Sequence, residues 1–252
     1  MRRRDVTVLD LPGGVRLLVA CDAAGGIGPK EQDRVRVSGY VLGRFTARVA
    51  LMEIVAAGGR PLLLVNTACV EPEPTGKEIL AGIEAEARLA GLGPDAITGS
   101  WEKNIPTVQT GLGVTALGLA EGSPPGAVAG DLIVAIGRPK VGDEVSLADP
   151  EIADLPLVLR LAKDPRVHDL LPVGSRGIAA EAEEMAGSAG LDLEWLEPQP
   201  GWDFRKSAGP ATCVLAAVAP EDLPGVTQGL RQPWTPVARL AARGGGREPE
   251  GA

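Results

Sequence analysis

The chain has 252 residues, a formal net charge of −8 and an isoelectric point near 4.9, with 44% hydrophobic but only 3% aromatic residues. That length allows one large or two modest domains, with a core built from Ala, Val, Leu and Ile. The acidity argues against broad binding to nucleic acid or to an anionic membrane, which needs basic faces that release counterions.

In chain order, DVTVLDL and VRLLVACD flank a PGG turn and read as a hairpin, and DRVRVSG adds a third short strand. Between them lies AAGGIGPK, residues 23–30, where Gly25, Gly26 and Gly28 free backbone N–H groups to face an anion and Lys30 reaches it. A plain hairpin loop is the equal alternative. A helix over 39–57 carries Glu53 near its C-terminal end, and Gly58, Gly59 and Pro61 turn the chain into the strand PLLLVNTACV. Thr75 caps a helix that stops at Gly91, and strands follow around AITGS and VQTGLGVTALGLA.

The Gly- and Pro-rich segment EGSPPGAVAGD, 121–131, is the natural boundary. Beyond it come a strand DLIVAIGRP, helices near 151–163 and 177–189, strands near 191–196 and 211–218, and a long loop, PQPGWDFRKSAG. The expected organisation is α+β, with an N-terminal domain over 1–122, a C-terminal domain over 130–242 and a disordered polar tail over 243–252.

The chemistry lies at element ends. Asp22 closes a strand, Glu53 a helix, and Glu102 follows a strand and a glycine turn. A few carboxylates converging in this way hold Mg²⁺ for a nucleotide, with phosphates completing the shell; solvated or capping acids are the plain alternative. TGKE at 75–78 lacks the upstream glycine and following hydroxyl of a P-loop, and GLGVTALG falls within a strand. Cys21, Cys69 and Cys213 have no metal-ligand spacing and read as small hydrophobes in a reducing compartment, and a single His168 forms no zinc site. MRRRDVTVLDL has no apolar stretch of signal-peptide length and no later run approaches a membrane span, so a cytoplasmic protein is expected. Asp33 and Asp169 are base candidates or surface acids. Trp202 and Phe204 stack on a base or anchor a packed loop.

These pieces resemble the ATP-binding superfamily of aminoimidazole ribonucleotide (AIR) synthase and thiamine-monophosphate kinase, the PurM-like proteins. RRRDVTVLD, LLVACDAAGG and GRFTARVALMEIVAAGGRP look like that family's acidic start, its strand ending in Asp, and its helix with an acid ten residues after the opening glycine, here Gly43 to Glu53. The resemblance implies Asp5, Asp22, Glu53 and Glu102 as metal ligands, and Asp5, Gly25, Gly26, Gly99 and Ser100 as contacts to ATP. Asp22, Lys30 and Asp33 become the catalytic candidates. TGSWEKN takes the place of the family's GGDTT or GGET turn, with Glu102 shifted by a residue. VGSRGIAAEAEEMA stands where the family has SDGL, with Arg176 replacing Asp, and Arg176 and Trp202 become substrate candidates.

The compact CDAAGGIGPKE, MEIVAAGG and SAGPATCVLAAV look like the alpha-ribazole kinase group of cobalamin lower-ligand salvage. That likeness implies an ATP- and Mg²⁺-dependent kinase acting on a small nucleoside, with mixed or antiparallel sheets flanked by helices and the N-terminal sheets paired in a homodimer. Another ATP-dependent enzyme of the superfamily, or a nucleotide-binding regulator without turnover, remains the alternative.

Overall fold

Alternating side chains on either side of the Gly13–Gly14 turn seed the larger of two sheets. Both glycines are left-handed, with φ of +84° and +78°, a conformation that L side chains resist. The computed structural model describes residues 2–122 and 126–243. Strands β1 (Arg2–Arg3), β2 (Val6–Asp10) and β3 (Val15–Gly25) run antiparallel, with Thr7 opposite Val19 and Asp10 opposite Arg16. Instead of a third meander strand, DRVRVSG contributes only β5 (Val35–Arg36), which pairs in parallel with β4 (Ile27–Gly28). The cause is Asp33, whose buried carboxylate accepts from the N–H of Lys30 and from the N–H and hydroxyl of Thr110, all at 2.7–2.8 Å, and folds the loop onto itself.

Helix α1 (Gly39–Ala56) starts at Ser38, whose hydroxyl accepts from the Val41 N–H at 3.3 Å. The chain continues through β6 (Arg60–Ala68), a π-type turn Pro72–Gly76, α2 (Lys77–Leu89), β7 (Ile97–Trp101) and β8 (Gly111–Glu121). Thr75 sits inside that turn with its hydroxyl donating to Glu71, so it does not cap α2. Gly91 stops α2 region as expected, at φ +77°. The first sheet has the order β1-β2-β3-β8-β6-β7, antiparallel except for β6 with β7.

The second half supplies β9 (Leu132–Ile136), α3 (Leu155–Leu161), β10 (Val167–Pro172), α4 (Gly177–Ala189), β11 (Leu191–Trp195), β12 (Val214–Val218), α5 (Leu223–Thr227) and β13 (Trp234–Ala242). Its strands form an antiparallel sheet in the order β10-β12-β9-β13-β11. Pattern reading passes over β13 because Pro236 interrupts it; the strand absorbs that proline with a register shift between Pro236 and Ala238. Residues 244–252 of the expected tail lie outside the described residues.

One apolar core runs through both halves. The inner face of the first sheet (Leu18, Ala20, Leu64, Val114) packs on α1, which in turn meets α2, α3 and one face of the second sheet (Val134, Ile136, Val214, Ala216). The other face of that sheet, with Ile133, Leu215 and Ala217, is covered by Ile178, Ala182 and Met185 of α4. Helix α1 is therefore the central element, and it places Glu53 between the halves. Among the described residues no helix is long and apolar enough to cross a membrane.

Candidate active site

Asp22 follows Leu18 and Ala20 on the inner face of β3, so the strand's alternation aims its carboxylate toward α1. Burial raises its pKa to about 6, against a weaker opposing effect of the Ala23 N–H. Glu53, on the last turns of α1, is 8% exposed and has no hydrogen-bond or ion-pair partner among the described residues. Burial, reinforced by the negative charges of Asp5, Glu181 and Asp22 and opposed by Arg4, pushes its carboxyl up to about 8. Glu181, on α4, is buried too and is raised chiefly by that burial, while Arg176, 3.5 Å away, works in the other direction.

The fold thus brings acids from β3, α1, α4 and the turn between β1 and β2 within electrostatic reach of one another at the junction of the halves. The sequence reading missed Glu181. Its signal was a charged residue on the apolar stripe of α4, three and four places from Ile178 and Met185.

Two clefts flank this row. An apolar one of about 320 Å³ lies between the halves, with Asp22 and Thr46 as its polar side chains and Phe45, Val35, Val145 and Pro210 among its walls. A polar one of about 460 Å³ is lined by Arg4, Asp5, Arg176, Glu181 and Glu184. Asp5 and Arg176, singled out separately in the sequence, share that cleft. Arg4 lines it as well and grips the second half: its Nη1 and Nη2 donate to the two Asp169 oxygens at 3.0 and 2.6 Å, with further bonds to the Leu170 carbonyl and the Ser188 hydroxyl. Asp169 is therefore a tie between the halves rather than a free base. His168 turns to Asp131 instead, 3.0 Å from both carboxylate oxygens.

Residues 3–120 match the family of the AIR synthase related protein, N-terminal domain. Solved structures extend the likeness over the second half. Thiamine-monophosphate kinase from Stenotrophomonas maltophilia is 17% identical with a TM-score of 0.66, over 96% of this chain and 90% of that one. The hydrogenase maturation protein HypE in complex with ATP is 16% identical with a TM-score of 0.64, over 93% and 78%. AaThiL complexed with AMPPCP and TMP is 14% identical with a TM-score of 0.61, over 94% and 84%. The fold is PurM-like. No curated protein matches the chain.

The fold leaves other expected site residues apart from the acid row. Asp22, Val114, Asn66 and Gly99 stand in register across β3, β8, β6 and β7, which sets Gly99 three strand spacings, roughly 14 Å, from Asp22. Ser100 and Glu102 follow on that far edge, where the half-buried Glu102 accepts from the Asn104 and Ile105 N–H groups at 2.7 and 3.0 Å. Those bonds lower its pKa. Gly99 is needed for packing, because a Cβ there would come within 2.4 Å of the Asn66 side chain. Lys30 is drawn to Glu71 at 2.5 Å and to the Thr107 carbonyl at 3.0 Å. Although burial works against it, this bond and one from Thr75 take Glu71 down to about 2. Lys30 and Asp33 thus brace the loop carrying Gly25 and Gly26. Trp202 packs beneath Arg138, whose guanidinium lies 4.3 Å from the ring centroid, beside a charged cleft that also holds Lys140 and Lys206.

Among the described residues no three His, Cys, Asp or Glu side chains gather closely enough to hold a metal ion by themselves. The donor set still suits Mg²⁺ bound with a nucleotide, since Mg²⁺ takes one or two carboxylates and fills the remaining positions with phosphate oxygens and water. A buried carboxylate without a partner, facing other acids, is relieved by such a cation.

Proposed function

We propose that this protein is an ATP-dependent phosphotransferase that converts alpha-ribazole to alpha-ribazole 5′-phosphate in the cytoplasm, as part of cobalamin lower-ligand salvage. The observation that carries the reading is Glu53: buried, unpaired, and set among Asp5, Asp22 and Glu181 beside a cleft sized for a small molecule. Such an arrangement is unfavourable by itself and suits a cation that arrives with phosphates. The ATP in the HypE complex and the AMPPCP in the AaThiL complex support the choice of nucleotide.

In this reading Asp22 and Glu53 would hold Mg²⁺ together with the nucleotide's phosphates, while Asp5 lies in the neighbouring polar cleft. The ion supplies charge neutralisation on the transferring phosphoryl group, which is most of what such a reaction needs. The protein's own part is positioning. Strand β3 and helix α1 fix the two carboxylates on facing elements, and Arg4 locks the second half against them, so that metal-bound phosphates and an acceptor would be held between the halves. Arg176, 60% exposed and 3.5 Å from Glu181, would exchange that ion pair for a phosphate oxygen.

The protein acts as a homodimer in this proposal. The outward face of the first sheet carries Leu17 and Val19 opposite Leu119 and Leu117, a half-exposed aliphatic surface of the kind that paired sheets cover.

ADP release measured with alpha-ribazole, thiamine monophosphate and aminoimidazole precursors tests the reading. Turnover should appear with alpha-ribazole, should require Mg²⁺, and should fall steeply in Glu53→Gln and Asp22→Asn. Activity on a phosphorylated acceptor with none on alpha-ribazole refutes the substrate. Tight Mg-ATP binding without turnover on any acceptor turns the reading toward a nucleotide-binding regulator.

A further inference from the structure

Gly137 ends β9 in a left-handed turn, φ +92°, where a Cβ would lie 2.6 Å from the Thr212 carbonyl oxygen. The segment that follows serves two clefts. Val141, Gly142 and Val145 belong to the apolar one, while Arg138, Lys140 and Glu144 line a separate polar cleft of about 470 Å³, together with Gly201, Asp203 and Lys206 of the long loop. This polar cleft lies wholly in the second half and shares no residue with the acid row.

Most of the charges in its lining are matched. Lys140 donates to Glu151 at 2.7 Å and, outside the lining, to Asp149 at 2.5 Å, and Lys206 donates to Glu144 at 2.8 Å. Two charges are left over. Arg138 stacks on Trp202 at 4.3 Å and donates Nη1 to the Gly201 carbonyl at 2.7 Å, and among the described residues it meets no carboxylate. The Asp203 carboxylate accepts from the Arg205 N–H at 2.9 Å and, among the same residues, meets no cation.

The stacked guanidinium is a prepared fork. The indole and the Gly201 carbonyl fix its plane, so little rotamer freedom is left to lose, and Nε and Nη2 remain as donors for a bidentate carboxylate. Asp203 follows Trp202 in the chain, which keeps its negative charge within the span of a small molecule held by Arg138. The balance of charge decides between ligands. With Asp149 included, four acids stand against three cations, so a free anion such as phosphate is repelled, and a simple cation leaves the guanidinium unmatched. A ligand carrying both charges on neighbouring atoms satisfies both.

We propose that this cleft binds a free α-amino acid, its carboxylate on Arg138 and its ammonium on Asp203. Among the described residues Pro139 is the one apolar side chain in the lining, so the amino acid is one with a small or polar side chain. None of these residues takes part in the phosphotransferase reading.

Titration calorimetry on the full chain tests this with L-serine, L-glutamine, L-leucine and inorganic phosphate as probes. Serine or glutamine should bind with a Kd below about 10 mM. The amide and the N-acetyl derivative of that amino acid each lack one charge and should bind roughly tenfold more weakly or worse. Asp203 is exposed, so Asp203→Asn leaves the fold intact; it should weaken the amino acid by a similar factor and remove its advantage over the N-acetyl derivative. Arg138→Lys keeps the charge but not the fork, and should weaken binding as well. No binding of serine or glutamine overturns the proposal, as does leucine, phosphate or a singly charged derivative binding as tightly as they do. Unchanged binding in either folded variant overturns it too.

Discussion

Replacing Glu53 by Gln keeps the side chain's size and removes an ionisable group that the fold buries without a partner. The carboxyl moves from an ordinary 4.5 to about 8, chiefly through burial, and at about 1.4 kcal/mol for each tenfold in proton affinity this amounts to about 5 kcal/mol. Below pH 4.5 the group is protonated in folded and unfolded chains alike and contributes no pH dependence. Between 4.5 and about 8 the unfolded chain releases the proton while the folded chain keeps it. Stability therefore falls as pH rises through that window, and the loss is complete above it.

A buried amide without partners costs about 1–3 kcal/mol by itself, so the variant is not simply more stable. What isolates the charge is the change in the gap between parent and variant. Urea unfolding at pH 5 and pH 8.5, with a chelator present, should show the variant gaining on the parent by about 3–5 kcal/mol between the two conditions. A gap constant to within about 1 kcal/mol would refute the claim that Glu53 is buried with its charge uncompensated.

Mg-ATP binding near pH 7 should release protons, because a bound cation requires Glu53 ionised; calorimetry in two buffers of different ionisation enthalpy measures this, and Glu53→Gln should abolish it. Turnover by the parent should fall as pH drops below about 6, where Asp22 takes up its proton, and the low residual rate of Asp22→Asn should lack that acid limb. Gly43→Ala should destabilise by about 3 kcal/mol in urea unfolding, since its Cβ would lie 2.1 Å from the Ile79 carbonyl oxygen and force α1 from α2. Light scattering at micromolar concentration should give a dimer mass, and Leu119→Asp should give a monomer.

Much of the first half was legible because its rules are local. Alternation and a PGG turn define β2 and β3, and Ser38 and Gly58 bracket α1. The acids Asp22 and Glu53 were visible as carboxylates at element ends, and β3 and α1 do bring them to one junction. Glu102 showed the same local pattern but lies on the far edge of the sheet, and nothing local distinguishes the two cases, since strand order is set by pairing between distant segments. Lys30 and Asp33 were read as chemistry because a charged residue in a glycine loop looks free; their partners, Glu71 and Thr110, are 41 and 77 residues away. Glu181 was hidden for the opposite reason, being embedded in a helix whose polar residues look like a solvated face.

The central consequence of this arrangement is that the acid row exists only where the halves meet. Arg4 adopts a left-handed backbone, φ +56°, which costs a non-glycine residue on the order of 1 kcal/mol. That strain is offset by two charge-assisted bonds to Asp169, a partner that is 4% exposed and belongs to the second half. The same turn of chain sets the next residue, Asp5, in the cleft shared with Arg176 and Glu181. One arginine therefore both docks the halves and places a positive charge beside Glu53, where it partly opposes the three neighbouring acids. Its hydrogen bonds to Asp169, Leu170 and Ser188 hold it against the second half. In the proposed function, the acids that raise the Glu53 pKa are what a divalent cation carrying phosphates would meet at this junction.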